Sequence, residues 1–236
     1  MYTFESRIRF SETDSTGRLS LTSLIDYFQD ITTFQSEDLG LGVSYMKSIN
    51  QIWVLSGWQI EIYDFPRLSD YVRIVTAPHD FKGFMGSRNY ALYGTDGKTY
   101  AMANSQWSLL SMDTFKPVNI NEEMIEKYVL APPLPMEYPP RKIHPVKNGE
   151  KKTPIVIGPY HLDTNHHVNN NQYIRMAQSF LPEDFTIGKM RAEYRKQAFL
   201  GDVVLPVVGM EDEKTVVSLE TEEGRPYVVV EFTERV

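Results

Sequence analysis

Apolar residues at Leu21, Leu24, Ile25, Phe28 and Ile31 recur at three- and four-residue steps, the spacing that lays one hydrophobic stripe along an α-helix. Ser20 or Thr22 offers an oxygen to cap its start, and Gly40 stops it. The spacing returns at Tyr173, Ala177 and Phe180, ahead of Pro182. After each helical stretch the pattern becomes that of strands. Residues 71–76, 87–93 and 100–110 follow the first helix, and 203–208, 216–219 and 227–232 the second, all rich in β-branched and aromatic side chains. Asp96-Gly97 and Glu223-Gly224 lie between paired runs, where a hairpin needs residues that tolerate positive φ.

The chain is self-similar. Setting Asp14 on Asp163 places Ile8 on Ile157, Leu19 on Val168, Leu24 on Tyr173 and Ile25 on Ile174. Further on, Glu61-Ile62 and Leu68-Ser69-Asp70 fall on Glu193-Tyr194 and Leu200-Gly201-Asp202 with the same internal spacing. A third block sets Gly97 to Tyr100 on Gly224 to Tyr227. Three matches in one order indicate two similar halves.

One helix followed by an antiparallel meander, with no βαβ alternation, makes each half an α+β layer in which a sheet curls around a single helix. The expected organisation is an N-terminal unit at 1–130, a linker at 131–152 and a C-terminal unit at 153–236. Pro132, Pro133, Pro135, Pro139, Pro140 and Pro145 predict an extended linker. Its Arg141, Lys142, Lys147, Lys151 and Lys152 read either as a docking patch for an acidic carrier or as a solvated segment. The first half is the longer one, with extra residues around 38–58. Met46, Ile52, Trp53, Leu55 and Trp58 in that excess either line a pocket for an alkyl chain or belong to the core.

Composition narrows the function. The 236 residues carry 24 Lys and Arg against 31 Asp and Glu, a formal charge of −7 that argues against a broad nucleic-acid footprint or an anionic membrane surface. With no cysteine, disulfides, thiolate zinc sites and a cysteine nucleophile are excluded. The N-terminus lacks the apolar core of a signal peptide, and no run approaches the roughly 18 apolar residues of a membrane span. A cytoplasmic protein is expected.

The densest run of chemically able side chains is His161 to Asn171. Asp163, Asn165 and His167 alternate, so in an extended segment they would share one side. A carboxylate can activate water, an amide can orient a carbonyl, and an imidazole can move a proton near neutral pH. Amides at Asn169 to Asn171, where a helix begins, add donors for an oxyanion. The set suits hydrolysis of an activated acyl group and needs neither metal nor other cofactor. The first half has Asp14, Thr16 and Arg18 at these positions, so only the second is equipped. An Asn- and Asp-rich run before a helix also reads as a cap and turn, and His161, His166 and His167 as metal ligands, although no carboxylate at ligand spacing supports that. His166 is expected to face away from the other two.

Asp163-x-Asn165-x-His167-Val168-Asn169-Asn170, with Glu193-Tyr194-Arg195-Lys196, the strand Trp107 to Asp113 and the opening Ile8 to Asp14, resembles the acyl-ACP thioesterases of plants and bacteria along nearly the whole chain. The resemblance implies a tandem, or double, hotdog fold whose C-terminal half carries catalysis and whose N-terminal half shapes much of the acyl pocket. It implies release of free fatty acid from acyl carrier protein by a thiolester hydrolase, with Asp163, Asn165 and His167 as the catalytic group. The sequence departs from the family at Gln197, where a glutamate is usual. An amide can position water but cannot act as a base. An acyl-CoA thioesterase and a non-catalytic acyl-binding module are the competing expectations. A monomeric pseudo-dimer and a homodimer both fit.

Overall fold

The computed structural model describes residues 1–235. Two compact units divide the chain, Met1–Ser56 with Ile60–Tyr138, and Gly57–Gln59 with Pro139–Val236.

The first unit contains β1 (Tyr2–Arg7), α1 (Leu21–Asp38), α2 (Val43–Ser48), β2 (Gln51–Ile62), β3 (Tyr71–Lys82), β4 (Met85–Gly94), β5 (Thr99–Ser111) and α3 (Glu122–Lys127). Its strands run in the order β1-β3-β4-β5-β2. The β1-β3, β3-β4 and β4-β5 pairs are antiparallel, with Phe4 opposite Ile74, Ile74 opposite Leu92, and Leu92 opposite Ala101. Helix α1 starts where the sequence predicts, because the Ser20 hydroxyl accepts the Ser23 amide at 3.1 Å. It ends in a Schellman turn, with the Gly40 amide on the Glu37 carbonyl and the Leu41 amide on that of Ser36. Gly40 has φ +68°, which glycine adopts without strain. Leu24, Ile25, Phe28 and Ile31 are fully buried, and Phe28 packs on Tyr90 at 5.0 Å between ring centroids. Each such side chain contributes about 1.5–3 kcal/mol of burial, so Phe28→Ala is expected to cost about 3–5 kcal/mol.

The second unit contains β6 (Glu150–Lys151), β7 (Ile155–Val156), α4 (Asn170–Gln178), β8 (Ile187–Tyr194), β9 (Val203–Glu211), β10 (Lys214–Glu220) and β11 (Pro226–Glu234). Its order β8-β11-β10-β9-β7 repeats that of the first unit, β7 standing for β1, and the two-residue β6 is an additional strand on β9. The repeat extends to turns. The Gly94 amide reaches the Lys98 carbonyl as the Thr221 amide reaches that of Arg225, and both turns carry a positive-φ glycine, Gly97 and Gly224. The halves differ in their helices, since α4 has 9 residues and α1 has 18.

Within 131–152 the chain is tied down. In the first unit the Ala131 amide donates to the Pro78 carbonyl, and Asn89 Oδ1 accepts both the Leu134 amide and the Tyr138 hydroxyl. In the second, Ile143 is 3% exposed, packs with Val216 and Val229, and donates its amide to Glu193 at 2.9 Å. Among the described residues no helix is long and apolar enough to cross a membrane.

Candidate active site

Asp163, Asn165 and His167 share one short loop, but not as alternating positions of an extended segment. The loop is a tight turn. The Asp163 amide donates to the His167 carbonyl at 2.8 Å, the His166 amide to the Asp163 carbonyl at 3.1 Å, and Leu162 bridges to Val168 behind them. Asp163 Oδ1 accepts the amides of Asn165 at 2.7 Å and His167 at 3.4 Å. A carboxylate satisfying amides of its own turn is the Asx arrangement, and it overrides the alternation that the spacing alone suggests. Among the described residues no hydrogen bond reaches Oδ2. His166 takes the turn's left-handed position, φ +61°, with its side chain exposed.

Loop 14–18 of the first unit is built the same way. The Asp14 amide donates to the Arg18 carbonyl, the Gly17 amide to the Asp14 carbonyl, and Asp14 Oδ1 accepts the amides of Thr16 and Arg18. Gly17, φ +73°, stands where the second loop has His166. In place of an imidazole the first loop has Arg18, tied to Asp64 at 2.7 Å and to the Phe65 carbonyl at 3.0 Å. Lys98 completes that cluster on the other Asp64 oxygen. Burial pushes the Asp64 carboxyl up, but the Lys98 hydrogen bond, the Phe65 amide and the two cations outweigh it and hold the group below its ordinary value.

Asn169 is the N-cap of α4. Its Oδ1 accepts the Asn171 amide at 2.8 Å, and its own amide donates to the His161 carbonyl. Two of the three amides offered as oxyanion donors are thus engaged within the protein; the remaining one belongs to Asn170. The Asn170 carbonyl accepts the Tyr194 hydroxyl at 3.1 Å. Gln197, half-buried, precedes Ala198, whose carbonyl accepts the Val168 amide and whose amide donates to the Tyr173 hydroxyl at 2.8 Å. The backbone next to Gln197 is thereby pinned to the end of the Asp163 loop and to α4. Burial pushes the phenols of Tyr173 and Tyr194 well up, so both act as neutral hydrogen-bonding groups. The sequence reading named Tyr173 in the helical stripe and Tyr194 in the Glu-Tyr-Arg-Lys string but gave neither a place at the site, yet a signal was present. The tyrosines replace Leu24 and Ile62 of the first half, two hydroxyls gained where the duplicate is apolar.

His161 is a structural residue. It is 7% exposed, its Nδ1 accepts the Gly158 amide at 2.9 Å, and burial lowers its pKa. Among the described residues no three carboxylate or imidazole groups gather as metal ligands do. Of the expected alkyl-lining residues, Met46 and Trp53 come together in a satellite core. Met46 is buried with Leu41, Leu109, Met124 and Tyr128, and Trp53 packs against that cluster. Leu55 and Trp58 are also buried, at 2% and 3% exposure, while Ile52 is partly exposed.

Two hotdog units in tandem, one carrying an Asp-Asn-His loop, define the fold class. The chain superimposes on an acyl-ACP thioesterase of Bacteroides thetaiotaomicron with TM-score 0.91 at 21% identity, covering 99% of this chain and 97% of that one. It superimposes on the 12:0-ACP thioesterase of Umbellularia californica with TM-score 0.85 at 16% identity, covering 99% and 96%. Residues 1–128 match the Acyl-ACP thioesterase N-terminal domain, and residues 147–225 the Acyl-ACP thioesterase C-terminal domain. The chain belongs to the acyl-ACP thioesterase family. It is 28% identical to oleoyl-acyl carrier protein thioesterase 2 of Arabidopsis thaliana over 194 residues, which cover 73% of this chain and 51% of that protein. The chain therefore spans about half the length of the curated relatives it matches.

Proposed function

We propose that this protein hydrolyses the thioester joining a fatty acyl chain to acyl carrier protein, releasing free fatty acid and the carrier thiol. The observation that carries the reading is the pair of side chains on the Asp163 turn. Two amides of that turn hold Asp163 Oδ1, as two amides hold Asp14 Oδ1 in the first half, but the Asp163 turn carries Asn165 and an imidazole where the other carries Thr16 and the ion-paired Arg18. A carboxylate set in its turn before the substrate arrives limits reorganisation.

In the water route Asp163 Oδ2 takes a proton from water and the resulting hydroxide attacks the thioester carbon. The side-chain amide of Asn165 and the Asn170 backbone amide donate to the developing oxyanion. Collapse breaks the C–S bond, and His167 relays the proton that Asp163 took from water to the departing thiolate, which returns both groups to their starting states. Gln197 holds the water, since an amide both donates and accepts. In the alternative, Asp163 attacks the carbon itself and water hydrolyses the mixed anhydride. A single turnover in ¹⁸O-water that places label in Asp163 identifies the second route, with water attacking the aspartyl carbon of the anhydride.

The carrier is the partner in this reading, and the exposed Lys142, Lys147 and Lys151 offer the positive surface an acidic protein would meet. The names of the relatives include both oleoyl and 12:0 substrates, so chain length is not transferred from them. Each buried methylene is worth about 0.8 kcal/mol. If the extra segment of the first half lines the alkyl pocket, Met46→Ala moves the chain-length optimum.

The test is fatty-acid release measured on matched acyl-ACP and acyl-CoA panels. Faster turnover on the carrier protein is expected. A preference for CoA would replace the carrier, and binding without turnover would make the protein an acyl-binding module.

A further inference from the structure

The imidazole of His167 packs against an aromatic ring. Phe199 meets it in a T-shaped contact, ring centroids 5.0 Å apart and planes at 81°. Among the described residues no hydrogen bond reaches the imidazole; the turn holds the backbone of His167, and Phe199 is the aromatic ring its side chain meets. The Phe199 backbone is held in turn: its amide donates to Asp202 Oδ2 at 2.9 Å, and the Asp202 amide returns to its carbonyl at 3.1 Å. Asp202 Oδ2 also accepts the Tyr227 hydroxyl at 3.3 Å. One residue earlier, the Ala198 carbonyl accepts the Val168 amide, locking the segment that carries Phe199 to the loop that carries His167.

The duplicated half supplies an independent comparison. Arg67 occupies the place of Phe199, its amide on Asp70 Oδ2 at 2.8 Å. Arg18 occupies the place of His167. The two backbones agree, and both side chains differ together. Where the first loop has a guanidinium anchored by Asp64, the second has an imidazole against an aromatic ring.

We infer that Phe199 is a positioning residue for catalysis, holding the His167 imidazole in the orientation from which it passes a proton to the leaving sulfur. The inference rests on the thioesterase reading above. An edge-to-face pair restricts ring rotation without adding charge, and a proton relay that must match a fixed oxygen depends steeply on angle. Phe199 is 48% exposed, so its removal tests this contact rather than the core.

The experiment is steady-state hydrolysis of acyl-ACP by Phe199→Ala, Phe199→Leu, Phe199→Tyr and Phe199→Trp, with Leu200→Ala as an exposed neighbour and Asp163→Asn as the control. Phe199→Ala and Phe199→Leu are expected to lower kcat about tenfold or more, with KM within about twofold. Thermal melting stays at the wild-type temperature, the aromatic replacements recover most of the rate, and Leu200→Ala behaves as wild type. Wild-type kcat in Phe199→Ala and Phe199→Leu beside an inactive Asp163→Asn would overturn the inference and leave the catalytic reading standing. A rise in KM alone would overturn it too, making Phe199 a substrate contact. Full activity of Asp163→Asn would instead remove the catalytic reading itself.

Discussion

Loops 14–18 and 163–167 share a backbone and differ in the side chains set around it. In each, an aspartate accepts two amides of its own turn and a left-handed residue lets the chain reverse. The first loop is then closed by Arg18, Asp64 and Lys98. The second carries Asn165 and an imidazole at His167 instead, and in neither turn does a hydrogen bond among the described residues reach the aspartate's other oxygen. Two further changes, Tyr173 for Leu24 and Tyr194 for Ile62, add hydroxyls that hold Ala198 and Asn170. A hotdog unit thus supplies a turn that can present an aspartate, and in the proposed reading the side chains placed around that turn decide between a structural joint and a reactive one.

Making the second loop resemble the first should have the largest effect. His167→Arg is expected to lower kcat about a hundredfold or more, the usual range for losing a general acid, with melting temperature retained; hydrolysis at the wild-type rate would mean that no proton passes through position 167. Opening the first loop should act on stability alone. The pair is partly exposed, with Arg18 at 36% and Asp64 at 27% side-chain exposure. Screening therefore limits the loss in Arg18→Ala to about 1 kcal/mol or less.

The sign of the pH effect follows from the depressed Asp64 pKa. Its contribution is complete above the unfolded carboxyl value, near 3.9, and is lost as pH falls through the lower folded value. Asp64→Asn should therefore melt lower than wild type at neutral pH and lose less on acidification below about pH 4. Equal acid limbs in differential scanning would contradict that assignment.

Smaller still is His166→Gly, which gives the second turn the residue of the first. Relief of a left-handed backbone is partly cancelled by unfolded-state entropy, so a gain of about 0.5–1 kcal/mol in denaturant midpoint analysis is expected, with kcat unaltered. Destabilisation would show that the imidazole at 166 does more than occupy the turn. The least change belongs to Gln197→Glu, for which kcat should be unchanged or lower. A marked rise would mean that a second carboxylate is the missing base.

Much of the fold was legible because it depends on local periodicity and on turn chemistry repeated at matching places. The α1 stripe, the Ser20 cap, the stop at Gly40 and the hairpin turns at Gly97 and Gly224 all stand where the pattern puts them. The residues of the proposed site could be named from the sequence, but the turn that holds them could not. Alternation argues for shared sides only in an extended chain, and Asp163 spends one oxygen turning the chain. Gly17 in the duplicate was the clue, since a glycine there marks a position that wants positive φ. Phe199 left no such signal, because its contact with His167 joins segments that meet only after β9 pairs with β7. The ties within 131–152 were hidden likewise, since they depend on Asn89 and Glu193, far along the chain.

The most direct measurement is a matched pair of isosteric changes, Asp14→Asn and Asp163→Asn, assayed for hydrolysis of acyl-ACP and for thermal melting. The account predicts that Asp163→Asn loses roughly 10²–10⁴ in kcat with the fold retained, while Asp14→Asn keeps its rate and loses only stability. Comparable activity in the two variants would contradict it.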